Sequence, residues 1–109
     1  MISIDEFKKG EIQVGEILSV EEIEGSEKLL KLSVNFGEEA PRQILSGIKK
    51  YFPNPQELVG VKCAFATNLE PRQMMGLESN GMLLAASTEE GAFSILKVSE
   101  DIPAGAKVV

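Results

Sequence analysis

The sequence predicts a small all-β fold, a barrel or a sandwich, and three observations predict it. Leu30, Leu32, Val34 and Phe36 alternate with Lys31, Ser33 and Asn35, the period-two signature of a half-buried strand. Five or six short apolar runs are separated by turn residues, with at most three brief helices among them. The 109 residues include 10 glycines and carry no repeat, low-complexity stretch or internal linker, so one domain spanning 1–109 is expected.

Each element has its own local cause. Ser3-Ile4-Asp5-Glu6 has capping-box spacing, and Ile4 and Phe7 share a face, so a short helix is expected at about 3–9, ended by Gly10. Ile12 and Val14 open a strand, and the apolar phase shifts after Gly15 before Leu18 and Val20 continue it. This marks Gly15 as a bulge or sharp bend. Residues 22–27 read as a loop, and Gly37-Glu38-Glu39 turns the chain into a returning strand at 42–46. A short helix fits Ile48 to Phe52, stopped by Pro53 and Pro55. A loop over 56–60 then leads to a strand at 61–67. Pro71 opens a helical or turn segment through Met75, closed by Gly76. Asn80-Gly81 is a turn, Met82–Ala86 and Phe93–Val98 read as strands, and Ile102–Gly105 turns the chain into Lys107–Val109.

Charge is unevenly distributed. The net charge is −6, which argues against nucleic acid at first sight. Residues 1–40 carry ten acids and four bases, whereas residues 41–87 carry five bases and three acids. A local basic strip on an acidic body is therefore permitted. No apolar run approaches the ~20 residues of a membrane helix, and the acidic N-terminus is unlike a secretory signal. The single Cys63 has no partner for a disulfide, which fits a reducing, cytoplasmic setting.

Catalytic chemistry finds little support. Without histidine and with one cysteine, the usual general base and a zinc site are both missing. The glutamates cluster at 21–27, 38–39 and 89–90 in polar turns, where nothing buries them enough to raise a pKa for acid–base work. No phosphate-cradling glycine motif occurs. Cys63 lies in an apolar strand and reads as a buried structural thiol.

Three segments together carry a family resemblance. They are Val14-Gly15-Glu16-Ile17-Leu18-Ser19-Val20-Glu21 followed by Ser26-Glu27-Lys28-Leu29; Arg42-Gln43-Ile44-Leu45-Ser46-Gly47-Ile48; and Asn68-Leu69-Glu70-Pro71 running through Gly76, Ser79 and Gly81-Met82-Leu83-Leu84-Ala85-Ala86. Their order and spacing resemble the tRNA-binding domain family over about residues 4–109. That family includes the C-terminal extension of bacterial methionyl-tRNA synthetases, free tRNA-binding proteins and secretion-chaperone-like relatives. The segment from Gly81 to Ala86 is most similar to the methionyl branch. Three positions depart from the pattern: Ile23 and Glu24 stand where relatives have His-Pro, and Glu27 stands for an aspartate.

The resemblance implies an OB-fold, a five-stranded Greek-key barrel with short helices and extra terminal segments. It implies a non-catalytic domain of methionine-tRNA ligase that binds tRNA by shape and backbone and assists aminoacylation, without cofactor or metal. It also implies a homodimer through terminal segments, where Ile2, Ile4, Phe7, Val108 and Val109 supply surplus apolar surface. Lys28, Arg42 and Arg72 would contact phosphate, Asn68 and Ser79 would donate to phosphate, sugar or base edges, and Met82 would offer an apolar contact. Read without the resemblance, Lys28 and Arg42 are ordinary surface charges placed to pair with Glu27 or Glu39, Met82 is core, and Ser79 caps a turn. Two alternatives stand beside the tRNA reading: a protein-binding, chaperone-like OB domain, and a dimerisation module without tRNA affinity.

Overall fold

The computed structural model describes every residue from Met1 to Val109, and its framework follows from one long strand with two partners. Strand β1 (Ile12–Glu22) pairs antiparallel with β4 (Lys62–Ala66) over its first half and with β2 (Leu30–Asn35) over its second, exchanging partners at Glu16. Strand β3 (Arg42–Ser46) adds to β2, and β7 (Met82–Leu83) adds to β4, giving the order β3-β2-β1-β4-β7. The result is a nearly closed five-stranded antiparallel barrel of OB type, as the family resemblance implies.

The alternation in β2 buries what it should. Leu30, Leu32 and Val34 lie fully inside, joined there by Ile17, Phe36, Ile44 and Phe65. Each such side chain stabilises the fold by roughly 1.5–3 kcal/mol. Phe36 and Phe65 meet edge to face, with centroids 5.3 Å apart. Gly15 is the position that admits them. A Cβ there would lie 2.5 Å from Val34 Cγ1, 2.7 Å from Phe36 and 2.8 Å from Phe65. The expected bulge is not at Gly15 but between Ile17 and Ser19, and it turns Leu18 out to solvent. The apolar phase shift is real; the glycine answers a different need, room for two aromatic rings.

The barrel seam is closed by a hairpin where the sequence suggests a helical or turn segment. Strands β5 (Arg72–Met74) and β6 (Leu77–Ser79) pair through a two-residue turn, Met75-Gly76, with φ of 51° and 76°. Both turn residues are left-handed, the geometry of a tight hairpin turn. Residues 78–80 then bond to β3: Gln43 Nε2 donates to Glu78 O (3.0 Å), Leu45 N donates to Ser79 Oγ (3.0 Å), and Asn80 N donates to Gln43 O (2.9 Å). The hairpin thus serves as an extra stave along β3.

Smaller differences have equally local reasons. The expected strand 82–86 breaks at Leu84, whose N–H bonds Ala64 O (3.0 Å), and β8 (Ala85–Ser87) pairs instead with β9 (Phe93–Ile95). Residues Pro55–Leu58, expected as loop, make a 3-10 turn that buries Leu58. A second 3-10 turn covers Lys49–Tyr51, where a short helix is expected.

The termini meet at one end of β1. Helix α1 (Ile4–Phe7) is a single turn held by the capping box, with Glu6 N donating to Ser3 Oγ (3.1 Å). Beyond the point where β2 leaves, residues 105–108 take over the free edge of β1. Val14 N donates to Ala106 O (2.8 Å), Gly105 N to Val14 O (2.7 Å), and Val108 N to Ile12 O (2.9 Å).

Cys63 sits inside β4, and burial pushes its thiol up to about 12. The folded protein is therefore expected to resist alkylation at pH 8 over hours, and to react one-to-one in denaturant. Mass spectrometry of both samples checks this; rapid native labelling would mean that β4 opens locally.

Candidate nucleic-acid interface

The hairpin β5–β6 and the loop 23–29 after β1 frame one face of the barrel. Between the hairpin tip and that loop lies an open groove of about 580 Å³, walled by Met74, Met75 and Leu29, floored at Gly25 and Gly47, with Lys28 at its side. Loops at these positions flank the ligand face of OB barrels generally.

The six residues marked in the sequence take different places around this face. Lys28 is exposed beside the groove and forms no ion pair. Arg72 is exposed on β5, directly opposite Ser79 in register. Side chains alternate along a strand, so Arg72 shares the Met74 face of the hairpin. Met82, on β7 against Ala66, is 41% exposed rather than core. These three are free to meet a partner.

The other three already have partners within the chain. Arg42 grips Glu38 with two parallel bonds, Nε to Oε1 at 2.9 Å and Nη2 to Oε2 at 2.8 Å. Its Nη1 donates to Thr67 O (2.7 Å) and Asn80 O (3.3 Å), and its guanidinium lies 5.2 Å above the Phe36 ring. Arg42 therefore ties the β2–β3 turn to the base of the hairpin. The Arg42 bonds hold the Glu38 carboxyl below the usual glutamate range, and Glu38 in turn raises Arg42. Ser79 is 1% exposed, accepting from Leu45 N and donating to Gly81 O (3.1 Å). Asn68 accepts from Glu11 N (2.7 Å) and donates to Lys9 O (2.6 Å), fastening the segment after α1 to the end of β4. The structure gathers Arg42, Arg72 and Ser79 around the hairpin and Lys28 at its tip, while Asn68 belongs to the terminal end.

Elsewhere the chain forms two further ion pairs. Lys49 turns to Glu22 (3.2 Å) and Ser26 O (3.1 Å), and Lys31 to Glu21 (3.0 Å), so two bases offset the acidic loop. Met74 and Met75 escaped the sequence reading. Two consecutive methionines before a turn glycine, outside any apolar period, were the available signal.

At the opposite end of β1 a second groove of about 430 Å³ runs between α1 and the C-terminal segment, walled by Ile4, Phe7, Ile12, Val108 and Val109. No group of three His, Cys, Asp or Glu side chains is placed to hold a metal, and no helix is long and apolar enough to cross a membrane.

The model of the family described as "Putative tRNA binding domain" matches residues 12–107. The chain belongs to this tRNA-binding domain family. Methionine–tRNA ligase of Caldanaerobacter subterraneus is 50% identical over 107 residues, and that of Methanocaldococcus jannaschii 48%. The matches cover 98% of this chain but 16% of each ligase, so the tRNA-binding domain spans about a sixth of those proteins. Among solved structures, the MetRS-related protein of Pyrococcus horikoshii superposes with a TM-score of 0.93 at 42% identity, over 100% of this chain and 98% of that one. The chaperone CsaA of Bacillus anthracis, at 25% identity, gives 0.86 over 100% and 99%. The tRNA-binding domain fold is thus similar both to a synthetase-related protein and to a chaperone.

Proposed function

We propose that this domain binds tRNA through the hairpin-and-loop face, as the tRNA-binding and dimerisation domain of a methionyl-tRNA synthetase. The observation that carries the reading is the family match across nearly the whole chain, with 50% identity to a methionine–tRNA ligase. Lys28 and Arg72 are the phosphate contacts and Met82 the apolar one; Arg42 and Ser79 contribute by holding the face in shape, while Asn68 fastens the terminal end. An acidic protein can bind a polyanion this way because Lys28 and Arg72, which form no ion pair, sit beside the hairpin. The domain itself does no chemistry. It raises the concentration of tRNA near a catalytic body, which is how a weak, shape-reading module assists aminoacylation. The terminal groove is the dimer contact, where a second copy would cover Ile4, Phe7 and Val108. A role in protein synthesis and a lone cysteine without a disulfide partner support a cytoplasmic setting.

Titration of tRNA at low and moderate salt tests the face. The parent is expected to bind weakly, with a salt slope of roughly −1.5 to −2 for two phosphate contacts. Lys28→Glu with Arg72→Glu is expected to weaken binding roughly tenfold or more at low salt. Parent-like affinity in that double variant, with parent-like melting, sinks the assigned face. The likeness to CsaA and the methionine-walled groove favour a second reading, in which unfolded polypeptide is the ligand. Peptide binding that persists at high salt, with no tRNA affinity, would select it.

A further inference from the structure

We infer that Met75 is an RNA contact, supporting one unstacked nucleobase at the hairpin tip; the inference rests on the tRNA reading above and names a ligand group for that face. The argument starts from the backbone. Met75 is the one non-glycine residue in the chain with positive φ, at 51°. It holds the first position of a turn whose second, Gly76, is also left-handed, and such turns strongly favour asparagine, aspartate or glycine there. Methionine is a poor fit to that backbone. Burial does not compensate it, because the side chain is 55% exposed.

The side chain has a defined place instead. The Met75 methyl lies 3.8 Å from where a Cβ on Gly25 would stand, so it hangs over the loop that forms the opposite wall. Met74 and Met75 together give that groove a polarisable apolar wall. Gly25 and Gly47 leave the floor without side chains, and a Cβ on Gly47 would meet nothing within 4 Å. Lys28 lines the same groove without an ion pair. A flat ring against an apolar wall, with its phosphate toward a lysine, satisfies this arrangement, and a base exposed in a tRNA loop supplies that ring without a sequence requirement.

Met75→Asn tests it, since asparagine suits the turn and removes the platform. The thermal midpoint is expected to rise by a few degrees while affinity for tRNA falls about fivefold, the low end for loss of one stacked base. The salt slope stays at the parent value, because no phosphate contact is lost. Met75→Leu keeps an apolar surface on the same backbone and is expected to bind within about twofold of the parent. Parent-like tRNA affinity in Met75→Asn, alongside a defect in the Lys28→Glu/Arg72→Glu protein, overturns this inference and leaves the face intact. No defect in either protein overturns the tRNA reading itself. A lowered midpoint in Met75→Asn overturns the inference too, since the methionine then serves packing on the first loop. So does lost affinity for an unfolded polypeptide with tRNA binding unchanged, which makes the occupant a peptide side chain.

Discussion

Gly105→Ala is expected to destabilise the domain by about 3 kcal/mol, from a strained dihedral and a collision with main chain. At φ +91° an added Cβ would stand 2.4 Å from Phe36 O. That neighbour is backbone at the end of the β2 ladder, so it cannot turn aside as a side-chain tip can. The thermal midpoint should fall by roughly 10–20 °C. Because Gly105 N bonds Val14 O, residues 105–108 should also loosen from β1, and Val108 and Val109 with them. Any dimer built on the terminal groove should then dissociate at concentrations where the parent remains paired, as sedimentation would show. Gly76→Ala supplies the control. Its φ is +76°, but a Cβ there meets nothing within 4 Å, so only the dihedral penalty of about 1 kcal/mol applies. Equal melting of the two variants would mean that the chain yields around residue 105 and that the collision is not felt.

Arg42→Met should cost about 2–3 kcal/mol, because Thr67 O and Asn80 O lose their donor and Glu38 its partner. The hairpin base should loosen, and tRNA affinity should drop with the salt slope unchanged. A slope shallower by about 0.7–0.9 would instead mean that Arg42 touches phosphate directly, as the family resemblance implies. Acid reads the same pair. Glu38 is held below its ordinary range, so its contribution is present above that range and is lost as pH falls through the depressed value. The side chain of Glu38 is 46% exposed, so solvent limits this contribution to under about 1 kcal/mol. The deficit of Arg42→Met relative to the parent should therefore narrow below about pH 4. Equal deficits at pH 3 and pH 7 would show that the pair adds nothing beyond the two carbonyl bonds.

Some of this architecture was legible in the chain because its causes are local. The β2 alternation and the Ser3–Glu6 cap each depend on neighbours within a few residues; the turn expected at Asn80-Gly81 is only a bend at Gly81. The β5–β6 hairpin was not legible, since Met75 occupies the place where an asparagine or glycine would have announced the turn. Gly15 is legible only as a choice: a strand glycine signals either a bulge or a close approach, and only Val34, Phe36 and Phe65 decide for the close approach. Site residues suffered the same ambiguity. Arg42 was a cation within reach of two glutamates, and the turn geometry that selects Glu38 over Glu39 is tertiary. Asn68 and Ser79 are polar residues whose hydrogen-bonding groups are engaged by chain 57 and 34 residues away, which no local window contains.

The edge of β1 that residues 105–108 occupy also sets a clock on folding. Gly105 meets Val14 from far along the chain, so an early strand is completed only by a late segment. Until residues 105–108 reach it, the stretch from Ile12 to Val14 presents an uncovered ribbon, and an uncovered ribbon is open to strangers. Contacts that span so much chain form slowly. A handful of residues far along the chain thus decides between closure of this small barrel and sticking.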